Sequence, residues 1–213
     1  CYGRAAKPRR DVGCKVLGEK VTADYWVAVQ DKDRGANNEK NGLVVYDLGT
    51  GWISVYPTKT RDAEETEHQL LHFAGNPKKV KSFHSDNAPE LIVAARELKW
   101  AHPRSTPGIP QTNYVAENRV DICKSNVRCA LEQSGFPDRM WPACAEMTSF
   151  STNVILVNGD SPWNKGHKTG HFKGPMIPFG AHVYFMLTHD KAIEESIYAP
   201  NQVDGLFLGY TVL

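Results

Sequence analysis

Three apolar stretches decide the fold: VTADYWVAV (21–29), GLVVYDL (42–48) and WISVYPT (52–58). In the first stretch, the apolar row Val21, Ala23, Tyr25, Val27 and Val29 alternates with a second row, Thr22, Asp24, Trp26 and Ala28, and a period of two is typical of a β-strand. The second and third stretches are separated only by Gly-Thr-Gly (49–51), which is long enough for a tight turn. Such short connections predict an antiparallel meander of three strands.

Helical patterns follow the meander. Asp62 stands before an apolar-periodic stretch with acidic residues in its first turn, and Gly75 follows that stretch, so the two residues mark the start and the end of a helix. VKSFHS (80–85) predicts a short fourth strand. Pro89 is suited to the first turn of a second helix. The pattern therefore changes from consecutive strands to alternating helices and strands.

The alternation continues through the middle of the chain. WAHPRS (100–105) predicts a fifth strand, which Pro103 weakens because proline cannot donate to a strand ladder. A long helix is predicted from about Val115 to Ser134, and Gly135 begins the segment that ends it. A meander followed by alternating helices and strands predicts an α/β fold, a mixed sheet with helices on its faces.

The pattern is looser beyond residue 137. A helix is predicted over residues 140–156 and a loop over residues 158–175. FGAHVYFML (179–187) and GLFLGYTVL (205–213) predict two short strands. These strands would form a small C-terminal β appendage.

The composition excludes several classes of protein. The 213 residues carry 25 basic and 24 acidic side chains, and a net charge of +1 argues against a histone-like polycation. No apolar run approaches the roughly 18 residues of a membrane span, so no membrane partner is expected. Five cysteines, an odd number without a C-x-x-C pair, fit a reducing compartment better than a disulfide framework or a complete zinc site.

Positive charge is concentrated at the amino-terminal end. Six basic side chains and only two acidic ones give residues 1–20 a local charge of +4, which leaves −3 for the rest of the chain. A short basic arm before a folded body often binds a polyanion, and a solvated linker fits the charge equally well. The basic residues of this arm are Arg4, Lys7, Arg9, Arg10, Lys15 and Lys20.

Three acidic residues stand out by their positions. Asp24 is central in the first strand, opposite its apolar row, Asp86 ends the predicted fourth strand, and Glu117 begins the long helix. Asp47 is the rival candidate for the first position. We prefer Asp24, because YDLGTGW (46–52) is better interpreted as a strand end that enters a glycine turn.

The placement of these acids predicts a metal site. Acidic residues within apolar strands cost free energy unless cations pair with them. Carboxylates that converge on the end of one sheet suit hard, oxygen-preferring ions such as Mg²⁺ or Mn²⁺. Two such ions, about 4 Å apart, activate a water or a 3′-hydroxyl and stabilise the leaving oxygen of a phosphodiester.

Several motifs resemble those of one family. FHSDNAPEL (83–91) and STPGIPQTNYVAEN (105–118) resemble the S-D-N-x-x-E-[FL] and S-x-P-x-x-P-Q-x-N-G-V-A-E motifs of retroelement integrase cores. LEQSGFPDRMWPAC (131–144), PFGAHVYF (178–185) and GLFLGY (205–210) are similar to segments that follow in copia-like LTR retrotransposons. The motifs occur in the family's order from about residue 15 to the end.

The resemblance implies a ribonuclease-H-like fold and an enzyme that joins cDNA ends to target DNA. It assigns Asp24, Asp86 and Glu117 as the catalytic triad and as the ligands of a two-metal site for Mg²⁺ or Mn²⁺. It also implies a homo-oligomer in the full-length protein. The expected location is the nucleus or the cytoplasm, in association with virus-like particles.

Further residues are expected to bind DNA. Lys124 and Arg128 follow Glu117 at +7 and +11, near one helical face, where they either contact phosphates or pair with Asp121. Polar side chains of the two motifs could donate hydrogen bonds to the DNA backbone, and the basic arm adds two arginines. The predicted DNA-binding residues are Asn87, Gln111, Asn113, Lys124, Arg128, Arg9 and Arg10.

The resemblance also divides the chain. Residues 1–19 are predicted to be a basic linker at the end of a truncated zinc-binding region, because Cys1 with Ala6-Lys7 resembles the end of a C-x-x-C-x-x-x-K motif. Residues 20–157 are predicted to form the integrase core. Residues 158–213 would be a loop and a small C-terminal extension.

Departures from the motifs keep alternatives open. Tyr114 stands where the family has a small residue, Asn118 where it has arginine, and the 30 residues between Asp86 and Glu117 are fewer than usual. They motivate a second hypothesis, a degenerate, inactive transposon remnant with residual nucleic-acid binding. A third hypothesis, a ribonuclease-H-type nuclease, lacks an obvious fourth carboxylate.

Overall fold

A computed structural model describes residues 14–103, 113–186 and 202–210 of the chain. Its main sheet has four strands in the order β3-β2-β1-β4. The first three strands are antiparallel neighbours, and the fourth pairs with β1 in parallel. The predicted meander is therefore confirmed. The strands are β1 (Val21–Val27), β2 (Asn41–Asp47), β3 (Ile53–Thr58) and β4 (Phe83–His84).

Five helices are described alongside the sheet, and the predicted signals start or end several of them. The Asp62 carboxylate accepts a hydrogen bond from the Glu65 N–H and so caps the first helix, and Gly75 ends it with φ 63°. Pro89 is the first residue of the second helix, and Gly135 ends the third in a left-handed conformation. The helices are α1 (Ala63–Ala74), α2 (Pro89–Glu97), α3 (Tyr114–Ser134), α4 (Trp141–Val154) and α5 (Pro162–His167).

Each face of the sheet carries its own apolar core. On one face, Val21 and Ala23 of β1 pack with buried residues of α1 and α2 such as Leu70 and Leu91. On the other face, Trp26 belongs to a core formed with α3 and α4. The alternation of β1 residues between two cores confirms the period-two pattern, and it directs Asp24 toward α3.

Two expected strands in the middle of the chain differ from the prediction. The fourth strand covers only Phe83 and His84 of the predicted 80–85. Residues 100–103 are not a strand, because Pro103 lacks a backbone donor, although the Phe83 N–H donates to the Ala101 carbonyl and so joins this segment to β4. Residues 104–105 lie outside the described part of the chain.

The predicted loop over residues 158–175 contains α5. Ser161 caps this helix by accepting a hydrogen bond from the Asn164 N–H, and Pro162 occupies its first turn. A serine followed by proline is a recognised helix start, so the sequence did carry this signal. The prediction of a structureless loop there is wrong.

The C-terminal strands form a separate two-stranded sheet. β5 (His182–Met186) and β6 (Gln202–Leu206) are antiparallel, so the second strand begins before the predicted 205–213. Aromatic residues near these strands pack against the core formed with α3 and α4. The centroid of the Tyr210 ring lies 4.6 Å from that of the Phe150 ring in α4. In the part of the chain that is described, no helix is long and apolar enough to cross a membrane.

Candidate active site

Asp24 lies in the middle of β1, on the face that α3 covers. Its Oδ1 accepts a hydrogen bond from the Tyr25 N–H at 2.7 Å. Its Oδ2 accepts one from Nδ2 of Asn113, the residue before α3, at 3.1 Å. The two bonds fix the orientation of the carboxylate and tie the start of α3 to the sheet.

Asp86 lies just beyond β4, beside Asp24. β4 runs parallel to β1, with His84 opposite Thr22, so two further residues along each strand bring Asp86 to the level of Asp24. Asp86 Oδ1 accepts a hydrogen bond from the Ala88 N–H at 3.0 Å, which closes an Asx-turn at the start of α2. This turn positions the second carboxylate.

Glu117 occupies the first turn of α3 and is exposed. Two of the predicted catalytic carboxylates act on the third through their charges. The pKa of Asp24 is raised to about 6, mainly by burial and to a lesser extent by the charges of Asp86 and Glu117, while the hydrogen bonds from Tyr25 and Asn113 act in the opposite direction. Asp24 therefore lies within electrostatic range of Asp86 and of Glu117.

The chemistry of these donors fits a divalent cation. All three side chains offer only carboxylate oxygens, the ligands that Mg²⁺ and Mn²⁺ prefer. A nearby cation would offset both the burial and the repulsion from Asp86 and Glu117 that raise the pKa of Asp24. The three carboxylates are not close enough together to form a complete metal site in this structure. Within residues 14–103, 113–186 and 202–210, no three His, Cys, Asp or Glu side chains are grouped to hold a metal ion.

Asp47, the rival carboxylate, makes hydrogen bonds that stabilise the fold. It is fully buried at the end of β2. Its Oδ1 accepts a hydrogen bond from the Gly18 N–H at 2.8 Å, and its Oδ2 accepts bonds from the N–H and the hydroxyl of Thr50 at 2.7 and 2.8 Å. The carboxylate thus closes the β2–β3 turn, as the glycine-turn interpretation predicts.

The predicted DNA-binding residues have different surroundings. Asn87 is exposed between Asp86 and α2. Asn113 is buried, and its Nδ2 donates one of its two hydrogens to Asp24. This contact joins residues 89 positions apart, which no local sequence pattern reveals. Three further candidates, Arg9, Arg10 and Gln111, lie outside the described residues.

Lys124 and Arg128 are exposed on α3 and border a groove of about 770 Å³. Buried Trp26 and Trp141 lie at its floor, between the C-terminal end of β1 and the start of α4. The lining of the groove includes none of the three predicted carboxylates, and Lys124 lies seven residues, about 10 Å, along α3 from Glu117. The sequence predicted the cations, and the structure adds the groove.

Comparisons with known proteins identify the fold. No family model matches the chain, and no curated protein matches it. Solved structures do match. A chain of the simian T-cell lymphotropic virus intasome, in complex with the PP2A regulatory subunit B56 gamma, superposes with a TM-score of 0.56 at 15% identity, over 90% of this chain and 68% of that chain.

A second similar structure is the catalytic core domain of BIV integrase. It superposes with a TM-score of 0.50 at 15% identity, over 69% of this chain and 92% of that chain. At such low identity the likeness establishes the fold alone. The four-stranded mixed sheet flanked by helices is the ribonuclease-H-like fold of integrase catalytic cores.

Proposed function

We propose that this chain is the integrase core of a copia-like retrotransposon, a metal-dependent polynucleotidyl transferase that joins cDNA ends to target DNA. One observation carries the proposal: burial and the charges of Asp86 and Glu117 together raise the pKa of Asp24. Placing carboxylates near one another costs stability. Carboxylates with strongly perturbed pKa values are therefore common at catalytic sites, where the chemistry requires them.

The triad of Asp24, Asp86 and Glu117 is proposed to hold Mg²⁺ or Mn²⁺, which when bound activates the attacking oxygen and stabilises the leaving oxygen. The chain's own residues prepare this site. Tyr25 and Asn113 orient the Asp24 carboxylate, and the Asx-turn to Ala88 orients that of Asp86. The long side chain of Glu117 can then approach from the first turn of α3.

DNA is the proposed partner. Lys124 and Arg128 offer exposed cations beside the groove, and such cations bind phosphates in a salt-dependent manner. One similar structure is an intasome. By analogy, and by the sequence resemblance, this chain is proposed to act on DNA ends as a homo-oligomer, in the nucleus or the cytoplasm.

The test is a strand-transfer and disintegration assay with Mg²⁺ or Mn²⁺. Asp86→Asn preserves size but removes a charged ligand, so activity should fall by at least about 1,000-fold. Asp204→Asn, at an exposed carboxylate of β6, is the matched control and should retain activity. Equal activity of Asp86→Asn and the unaltered chain would contradict the proposal.

The alternative is a degenerate remnant that binds nucleic acid without catalysis. Two observations favour it: the described residues contain no formed metal-binding group, and Tyr114, at the start of α3, is 52% exposed where the family has a small residue. This alternative predicts DNA binding without metal-dependent cleavage or joining. Activity of the purified chain that disappears in Asp86→Asn would exclude it.

A further inference from the structure

A basic segment surrounds and follows α5. The sequence from residue 161 to residue 175 contains three lysines and no acidic residue, and the next acidic residue along the chain is Asp190. Residues 21–213 together carry a net charge of −3, so without the +3 of these lysines the remainder carries −6. Positive charge is therefore concentrated here against an acidic background. We call residues 161–175 the lysine loop, after Lys165, Lys168 and Lys173.

Hydrogen bonds fix the conformation of the lysine loop. Ser161, which is fully buried, caps α5. Asn164 Oδ1 accepts a hydrogen bond from the Gly170 N–H at 3.0 Å, and the Asn164 carbonyl accepts one from the Lys168 N–H at 2.8 Å. The two bonds close the turn that follows α5, in which Lys168 has a left-handed conformation with φ 56°. Lys168 is exposed at this turn.

Aromatic side chains attach both ends of the lysine loop to the core formed with α3 and α4. The centroid of the Trp163 ring lies 5.9 Å from that of Trp52 and 6.1 Å from that of Phe150. Farther along the loop, the centroid of the Phe172 ring lies 5.2 Å from that of Phe150. Because the loop is anchored at two points, it loses little conformational entropy when a partner binds.

The charges of the three lysines are not compensated by close carboxylates. Among residues 14–103, 113–186 and 202–210, no carboxylate lies within 4.0 Å of their ammonium groups. Asp160 acts on Lys165 only from a greater distance, and its Oδ1 lies 4.0 Å from His171 Nδ1. Lys168 and Lys173 are exposed. Like charges in one short loop repel one another, so an anionic partner would stabilise this arrangement.

The chemistry of the lysine loop favours DNA over an acidic protein. The centres of protein–protein interfaces are apolar and rich in aromatic residues. In this loop, however, the large aromatic side chains Trp163 and Phe172 pack against the core. Protein–DNA interfaces are more polar and more positively charged, and lysine ammonium groups contact phosphates without regard to sequence. The loop therefore suits the phosphate backbone of a duplex.

The lysine loop and the predicted triad lie at opposite edges of the described sheet. The ring of His167, in α5, has its centroid 5.0 Å from that of Trp52, which immediately precedes β3. Asp86 follows β4, and β2 and β1 separate β3 from β4, so at about 4.8 Å per strand the outer strands are about 14 Å apart. The groove beside Lys124 and Arg128 shares no lining residue with the loop. A duplex on the loop would therefore contact a separate surface.

We propose that the lysine loop is a second DNA-binding surface, which holds the phosphate backbone of a duplex segment outside the groove beside α3. Because only phosphates are contacted, binding at the loop is independent of sequence and weakens steeply with salt. The inference rests on the proposed function only for DNA as the partner. It adds a contact through which one chain holds two segments of DNA at once.

The test is the salt dependence of DNA binding in EDTA, which involves no metal ion. Fluorescence anisotropy of a labelled duplex gives the association constant between about 50 and 200 mM salt. Each phosphate contact contributes about 0.9 to the slope of its logarithm against the logarithm of the salt concentration. The triple variant Lys165→Gln, Lys168→Gln, Lys173→Gln should therefore reduce the slope by about 2–3. An unaltered slope would overturn the proposal.

A matched triple variant controls for net charge. Lys59→Gln, Lys81→Gln and Lys99→Gln together remove the same charge from exposed positions outside the loop and should leave the slope close to its original value. An equal decrease in the two triple variants would contradict the proposal, because net charge alone would then account for it. Replacement of the three loop lysines by arginine retains the charge and should retain the slope.

Two further comparisons separate the possible outcomes. When the loop variant is combined with Lys124→Gln and Arg128→Gln, the decreases in slope should add, and a combined decrease no larger than that of either variant would overturn a second surface. Loss of binding to polyglutamate with unaltered DNA binding would assign the loop to an acidic protein instead. Failure of the proposed function appears as strand transfer that survives Asp86→Asn, whereas failure of this inference appears in the slope without metal.

Discussion

Two aspartates on neighbouring strands, Asp47 on β2 and Asp24 on β1, have carboxylates in different surroundings. Asp47 is fully buried, and three donors from Gly18 and Thr50 surround its carboxylate. Asp24 is only partly buried, receives two donors and lies within electrostatic range of Asp86 and Glu117. Asp47 thus has compensation for its charge within the fold, whereas the charge of Asp24 is left partly uncompensated.

This difference is the one expected between a structural carboxylate and the catalytic carboxylate that we propose. A buried charge is stable when hydrogen bonds replace its lost hydration, and such a group resists change. A carboxylate near other carboxylates weakens the fold, and it is retained where a cation or a substrate completes its surroundings. The comparison therefore predicts opposite effects of the same substitution at the two positions.

The largest expected effect on stability is at Asp47. Asp47→Asn keeps the shape of the side chain but replaces one acceptor oxygen by an NH₂ group that faces N–H or hydroxyl donors. Loss of charged hydrogen bonds in a buried turn should lower the free energy of unfolding by about 3 kcal/mol. Urea denaturation followed by circular dichroism measures the change. An unaltered urea concentration at the midpoint of unfolding would show that Asp47 does not stabilise the fold.

A smaller effect of opposite sign is expected at Asp24. Its pKa is raised in the folded chain from 3.8 to about 6, so between these values the folded state binds more protons than the unfolded state and stability falls as pH rises. Above about pH 6, Asp24 is ionised in the folded chain as well, and the buried charge then lowers the free energy of unfolding by its full amount. Asp24→Asn should therefore raise stability by about 1 kcal/mol at neutral to alkaline pH, which corresponds to roughly 2–4 °C in Tm.

The pH dependence separates this effect from an unrelated gain in packing. At about pH 4, where much of Asp24 is protonated in both states, the gain in Tm should largely disappear. Differential scanning calorimetry of the two proteins across this range measures it. A gain of equal size at both pH values would show that the charge of Asp24 is not its cause.

The elements of the fold could largely be predicted from local signals. Alternation indicated β1, and the cap at Asp62 with the glycines at positions 75 and 135 marked helix ends that the structure confirms. The predictions of a strand at residues 100–103 and of a loop at residues 158–175 were wrong, because contacts between distant residues or obscured local signals determine the structure there. Residues 100–103 lack regular strand pairing, and α5 depends on the Ser161 cap, which a Gly- and Lys-rich composition obscured.

The site could be predicted in part. Motif resemblance predicted Asp24, Asp86 and Glu117, which stays a prediction, and the structure adds that the charges of Asp86 and Glu117 contribute, after burial, to the raised pKa of Asp24. The contact between Asn113 and Asp24 could not be predicted, because it depends on how α3 docks on β1.

The central claim is that the three carboxylates form a metal site. The most direct measurement is crystallography of the chain with Mn²⁺, with anomalous diffraction used to locate the ion. The account predicts an anomalous peak between the carboxylates of Asp24 and Asp86, at Mn–O distances typical of carboxylate ligation and with Glu117 drawn toward the ion, and no peak at Asp47. An empty triad, or Mn²⁺ bound only elsewhere, would contradict it.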